Sequence, residues 1–140
     1  ILSMARLMIN SGQSPLPKAP QRLVVVFQPH RYSRVNQFLK DFAIALGKAD
    51  LLLIAPVYSA GEKPIQGASS KDLAGYIQKY YPKLPVFQGE NLEDLIELLE
   101  KNTQKNDLVL TLGAGDINKI WEKLQNRASP KRWNASILAA

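Results

Sequence analysis

Four short apolar runs, set between segments of helical period, constrain the fold of this chain more than any other feature. Residues 23–27, 51–55 and 86–87 are continuously apolar and 108–112 is apolar but for Thr111; none alternates. A strand with one wet face alternates apolar and polar side chains. An unbroken run predicts a strand covered on both faces, as in a parallel sheet between two helical layers. The intervening segments repeat at helical spacing. Val35, Phe38, Leu39, Phe42 and Leu46 form one stripe, with Gly47 at the C-cap position. Leu73, Ala74, Ile77 and Tyr81 form another; Leu92, Leu95, Ile96 and Leu99 a third; Ile117, Ile120, Trp121 and Leu124 a fourth. Ile1, Met4, Ala5 and Met8 form a stripe before the first strand. Ser69 stands three residues before Asp72, and Asn91 three before Asp94, as N-caps do. The alternation predicts an α/β fold: a Rossmann-like, doubly wound, mainly parallel sheet with helices on both faces and right-handed crossovers.

At 140 residues the chain reads as one domain, able to bury roughly two-thirds of its unfolded surface. Residues 11–20, rich in Ser, Gly and Pro, read as an exposed loop. No apolar run approaches the ~18 residues of a membrane span. With no cysteine, disulfide and thiolate chemistry are excluded. The net charge of +6 permits a nucleic-acid partner, but the basic residues are dispersed and no aromatic–basic alternation interleaves them. The densest basic cluster, Arg127, Lys131 and Arg132 beside Trp133, reads as surface or as contact with an acidic neighbour. The first residues open within a helical stripe, which suggests a piece of a longer protein.

Ligands of open parallel sheets bind beyond the carboxyl ends of the strands. There the sequence places Phe27-Gln28-Pro29-His30-Arg31-Tyr32-Ser33-Arg34 after the first run, and Tyr58-Ser59-Ala60-Gly61-Glu62-Lys63 after the second. Gln88-Gly89-Glu90 follows the third and Gly113-Ala114-Gly115-Asp116 the fourth. Arg31 and Arg34 fall in the first turn of a helix, where cations oppose the dipole by roughly 0.3–1 kcal/mol each and so are poor choices for stability alone. They predict an anion site, for a carboxylate or a phosphate, with guanidinium groups held at the sheet edge beside the helix N-terminus. His30 reads as a group that orients a ligand or accepts a proton. Glu62, Lys63 and Asp116 are candidates for ligand, nucleotide or interdomain contact; Asp116 has the plainer reading of a helix cap behind a tight glycine turn. The Gly-Ala-Gly turn lacks the third glycine of a dinucleotide fingerprint. With one histidine and no nucleophile elbow, no Ser/His/Asp triad can be assembled. No metal-ligand spacing is present, and no P-loop of the form GxxxxGK[ST].

Three segments carry a family resemblance: Val-Val-Val-Phe-Gln-Pro-His-Arg-Tyr-Ser-Arg at 24–34, Tyr-Ser-Ala-Gly-Glu-Lys-Pro-Ile at 58–65, and Leu-Gly-Ala-Gly-Asp-Ile at 112–117. In this order and spacing they resemble the C-terminal domain of the Mur ligases, the alanine-adding branch above all, over about residues 1–127. The resemblance implies a cytoplasmic enzyme of peptidoglycan synthesis whose N-terminal domain holds the UDP-sugar and whose central domain holds ATP and Mg2+. It also implies the chemistry: the carboxylate of UDP-N-acetylmuramate is activated as an acyl phosphate and attacked by the amine of L-alanine. It puts His30, Arg31 and Arg34 at the amino-acid site, facing the alanine carboxylate or the charged intermediate. The UDP-sugar and ATP domains, and an Asp-rich His-His-Pro segment, have no counterpart in these residues. The 140 residues alone are therefore expected to be inactive. A stand-alone small-anion-binding module and a nucleic-acid-binding protein are the competing readings.

Overall fold

The computed structural model describes residues 2–3, 5–6, 21–113, 115–125 and 134–136. Five parallel strands form one sheet: β1 (Arg22–Phe27), β2 (Leu51–Ile54), β3 (Val86–Gln88), β4 (Asp107–Leu112) and β5 (Asn134–Ser136), in the order β3-β2-β1-β4-β5. Helices α1 (Tyr32–Leu46), α2 (Ser70–Tyr80), α3 (Leu92–Asn102) and α4 (Lys119–Gln125) connect them, α4 preceded by a 3-10 turn at Asp116–Asn118. Winding runs outward from β1 to β3, then returns to place β4 on the other side of β1. The switch point, where ligands of such sheets bind, thus lies between the tips of β1 and β4.

The strand residues sort onto the two faces by parity. Leu23, Val25, Leu52, Ile54, Leu108, Leu110 and Leu112 pack with Val35, Ala43 and Leu46 of α1 and Leu73, Ala74 and Ile77 of α2. Val24, Val26, Leu51, Leu53 and Val109 pack with Leu95, Ile96 and Leu99 of α3 and Ile120, Trp121 and Leu124 of α4. This double covering is why the runs are unbroken. Each fully buried leucine or isoleucine contributes roughly 1.5–3 kcal/mol, so a central truncation such as Leu53→Ala costs about 2–5 kcal/mol. The Trp121 indole N–H, which burial would otherwise orphan, donates to Thr111 Oγ1 at 2.9 Å.

Both expected caps form. Ser69 and Asp72 make a reciprocal capping box, and Asn91 Oδ1 accepts the Asp94 N–H at 2.9 Å. At the amino ends of β1 and β4, Asp107 is buried and receives both Nε and Nη2 of Arg22, at 2.8 and 2.7 Å.

Two expectations are corrected. The run at 86–87 is not doubly buried: β3 is an edge strand, with Val86 and Phe87 half-buried and Gln88 exposed. Phe38 leaves the buried stripe of α1 because its backbone departs from helical geometry (φ −115°, ψ 24°), which turns its ring outward. Gly47 is the C-cap of α1, as expected, in an ordinary right-handed conformation (φ −63°); a Cβ there would lie 2.5 Å from the Tyr81 ring, so the glycine answers to space. Strand β5 was not foreseen, because Asn-Ala-Ser carries no strand signal and joins the sheet through its ladder with β4. In the first stripe, Ala5 is helical and buried; Ile1, Met4 and Met8 lie outside the described residues, as do residues 11–20 and Arg127, Lys131, Arg132 and Trp133.

Candidate functional site at the carboxyl edge of the sheet

Beyond β1 the chain does not turn directly into α1. Pairing with the chain after β2 continues: Tyr58 N–H donates to the Pro29 carbonyl and Arg31 N–H to the Tyr58 carbonyl, both at 2.8 Å. The His30 and Tyr58 rings stack at 5.7 Å with an 11° tilt. Arg31 then adopts φ 68°, a left-handed conformation that costs a non-glycine residue roughly 1–2 kcal/mol, and α1 begins at Tyr32. This strained residue is the N-cap of α1, and its side chain makes no capping bond; nor does the first turn hold an acidic residue.

Capping comes from elsewhere in the sequence. After Tyr58 the chain reverses through Ala60 (φ 50°) and Gly61 (φ 87°), which delivers Glu62 to the start of α1. Ser33 N–H donates to Glu62 Oε1 at 3.1 Å and the Ser33 hydroxyl to Oε2 at 2.6 Å. The Ser33 hydroxyl first, then the Ser33 N–H and the charge of Arg31, hold the Glu62 carboxyl below the ordinary range. The expected free anion site at this helix N-terminus is therefore already filled by the carboxylate of Glu62.

The guanidinium groups also differ from expectation. Arg31 and Arg34 are exposed, and neither guanidinium makes a hydrogen bond or ion pair with another described residue. The backbone at their root is fixed; their charged ends are free to meet a ligand. Arg34 and His30 line one cavity of about 410 Å3 with Gly113, Phe27 and Phe42, on the α1 side of the sheet. Half-buried His30 has its Nδ1 enclosed without a hydrogen-bond partner among the described residues.

Asp116 lies at a second cavity, of about 540 Å3, with Gln28, Tyr58, Ser59 and Glu90. It does not cap the following helix, as the plainer reading had it: no side-chain capping bond forms there, and its Oδ1 instead accepts Gln28 Nε2 at 2.6 Å. Gln28 Oε1 accepts the Ile117 N–H at 3.2 Å, so one buried amide ties the tip of β1 to the turn after β4. Both glycines of that turn answer to this packing. Gly113 has φ 154°, and a Cβ on it would sit 3.0 Å from Gln28 Cβ. A Cβ on Gly115 would sit 2.5 Å from Gln28 Oε1 and 2.7 Å from the Tyr58 ring. The predicted residues thus share the carboxyl edge, but His30 and Arg34 line one cavity and Asp116 the other; Arg31, Glu62 and Lys63 line neither of the two, and Lys63 stands exposed in the loop beyond Glu62. Gln28 and Ser33 were not singled out in the sequence. Their signal was slight: a polar residue closing an apolar run, and a hydroxyl in a helix's first turn.

No group of three or more His, Cys, Asp or Glu able to hold a metal ion occurs among the described residues.

No family model matches the chain. Similarity to individual proteins is extensive. The chain is 54% identical over 138 residues, 99% of its length, to a UDP-N-acetylmuramate–L-alanine ligase of Prochlorococcus marinus (strain MIT 9313). It is 58% identical over 123 residues, 88% of its length, to the enzyme of that name from Synechococcus sp. (strain CC9605). It spans 28% and 26% of the lengths of these relatives, about a quarter of each. Identity of this extent, carried on a doubly wound parallel sheet with the three motifs at its strand tips, supports the resemblance of the chain to a Mur ligase C-terminal domain.

Proposed function

We propose that this chain is the amino-acid-binding domain of a UDP-N-acetylmuramate–L-alanine ligase, one part of a longer cytoplasmic enzyme. The observation that carries the reading is the extent of the match: 54% identity over 99% of the chain to a protein of that name, with His30, Arg31 and Arg34 at the turn beyond β1. Among the described residues, no helix is long and apolar enough to cross a membrane.

The domain's task in this reading is to hold and orient L-alanine. Exposed guanidinium groups on a fixed backbone turn suit a carboxylate, because the planar fork matches its two oxygens and each charged hydrogen bond contributes roughly 1.5–3 kcal/mol. A carboxylate held at Arg31 or Arg34 leaves the amine pointing away, toward an activated muramate carboxyl supplied by the other domains. His30, with Nδ1 enclosed, is placed to orient the amino acid or take a proton from it. Glu62 is engaged with Ser33, which makes it a weaker candidate for nucleotide contact than Lys63 or Asp116. Nucleotide and magnesium would be held mainly outside this chain, by the central domain that the resemblance implies.

The test is direct. The full-length protein should release phosphate from ATP only when both UDP-N-acetylmuramate and L-alanine are present. The 140-residue chain should show no turnover and should bind L-alanine no tighter than about millimolar, near −4 kcal/mol, since half a solvated site holds six heavy atoms weakly. Turnover by the chain alone, or micromolar binding by calorimetry, contradicts this reading. A stand-alone anion-binding module would bind its anion tightly without partner domains.

A further inference from the structure

The sequence places two arginines where a helix dipole opposes them, and the structure shows what offsets the conflict. Helix α1 lacks a side-chain cap and lacks an acidic residue in its first turn. Glu62, from a loop 29 residues away, supplies the missing negative charge through both of its oxygens. The loop is built for this delivery. Ala60 and Gly61 are consecutive left-handed residues, and the Glu62 N–H closes the turn on the Ser59 carbonyl at 3.0 Å. On the other side, Arg31 is itself left-handed and is tied by its N–H to Tyr58, at the start of the same loop. Two strained segments are thus fastened to each other at two points, Arg31 to Tyr58 and Ser33 to Glu62.

We propose that Glu62 is a positioning residue for amino-acid recognition: by clamping Ser33 across the start of α1 it fixes the turn from which Arg31 and Arg34 reach the substrate carboxylate. This rests on the function proposed above. It also explains selectivity at the turn. The first-turn N–H of Ser33 is satisfied by the protein's own carboxylate, so an incoming anion meets guanidinium groups and not a bare helix end. Planar carboxylates gain from this over compact anions that bind backbone nests.

Two measurements on Glu62→Gln and Ser33→Ala test the idea and separate it from the ligase reading. The first uses the 140-residue chain and NMR. Arg31 is the charged group acting on this carboxylate, and Ser33 is its principal hydrogen-bond partner. The Ser33 amide signal should follow a carboxylate titration below the ordinary range, and Glu62→Gln should abolish it. An untitrated Ser33 amide overturns the clamp. The second uses the full-length enzyme. Glu62→Gln should raise KM for L-alanine by about fivefold or more while KM for ATP stays within about twofold, and Ser33→Ala should do so less. Glu62→Asp should remain impaired, because the shorter side chain cannot span both Ser33 donors. A lowered melting temperature with an unchanged alanine KM would show a merely structural cap and overturn the positioning role. Absence of alanine-dependent turnover in the wild type overturns the ligase reading, and the positioning role with it, while a titrating Ser33 amide leaves the clamp standing.

Discussion

Gly115→Ala distinguishes packing from ligand approach as the reason for the Gly-Ala-Gly turn. The added methyl would sit 2.5 Å from Gln28 Oε1 and 2.7 Å from the Tyr58 ring, about 1 Å inside the ordinary contact of ~3.5 Å. These two contacts of the added methyl set the magnitude. Two neighbours could give way. Moving Gln28 breaks its bonds to Asp116 and the Ile117 N–H, roughly 1 kcal/mol each, within a buried setting. Moving Tyr58, which is 42% exposed, forfeits mainly its stacking on His30, about 0.5–1.5 kcal/mol. The cheaper route is the tyrosine. With residual strain the cost should be about 2 kcal/mol, inside the ~1–3 kcal/mol range for an overpacked methyl, or roughly 6 °C of melting temperature for a domain of this size. Thermal unfolding measures the loss, and the His30 ring proton shifts report whether Tyr58 has moved. An unchanged melting temperature with unchanged His30 shifts would falsify the packing account and return the turn to ligand approach.

Gly75→Ala is the matching opposite. Gly75 lies in the interior of α2 with nothing within 4 Å of an added Cβ, so the substitution should stabilise the domain by about 0.5–1 kcal/mol. Arg22→Ala strands Asp107, whose side chain is 1% exposed; because Arg22 is 31% exposed and water can enter, about 2–3 kcal/mol should be lost in urea unfolding, below the 3–5 of a fully buried pair. Unaltered stability would show that Asp107 is held by other donors, Gln104 N–H among them. The depressed Glu62 carboxyl gives stability that is present above its unfolded value of 4.5 and lost as pH falls through the lower folded value. Wild type should therefore exceed Glu62→Gln in melting temperature at neutral pH, with the gap closing on acidification; a constant gap across that range contradicts the clamp.

The parts of this fold that sequence made legible are those where one side chain's chemistry decides. Val24 and Val25 must both be buried, so the run announces its two-sided strand; Ser69 and Asn91 find their partners within three residues. What stayed hidden depends on distant neighbours. Whether Val86 is central or at an edge is set by the order of strands, and whether Gly47 is free or crowded is set by Tyr81. The candidate site divides the same way. His30, Arg31 and Arg34 could be placed at a strand tip from the run before them and the stripe after. That Glu62 fills the helix end, and that Gln28 binds Asp116, are contacts across 29 and 88 residues that no local pattern carries.

The measurement closest to the central claim is steady-state kinetics of the full-length enzyme carrying Arg31→Ala or Arg34→Ala. If these guanidinium groups take the amino-acid carboxylate, KM for L-alanine should rise about tenfold or more in each, with KM for ATP within about twofold of wild type. A rise confined to ATP would assign the two arginines to phosphate and contradict the amino-acid site.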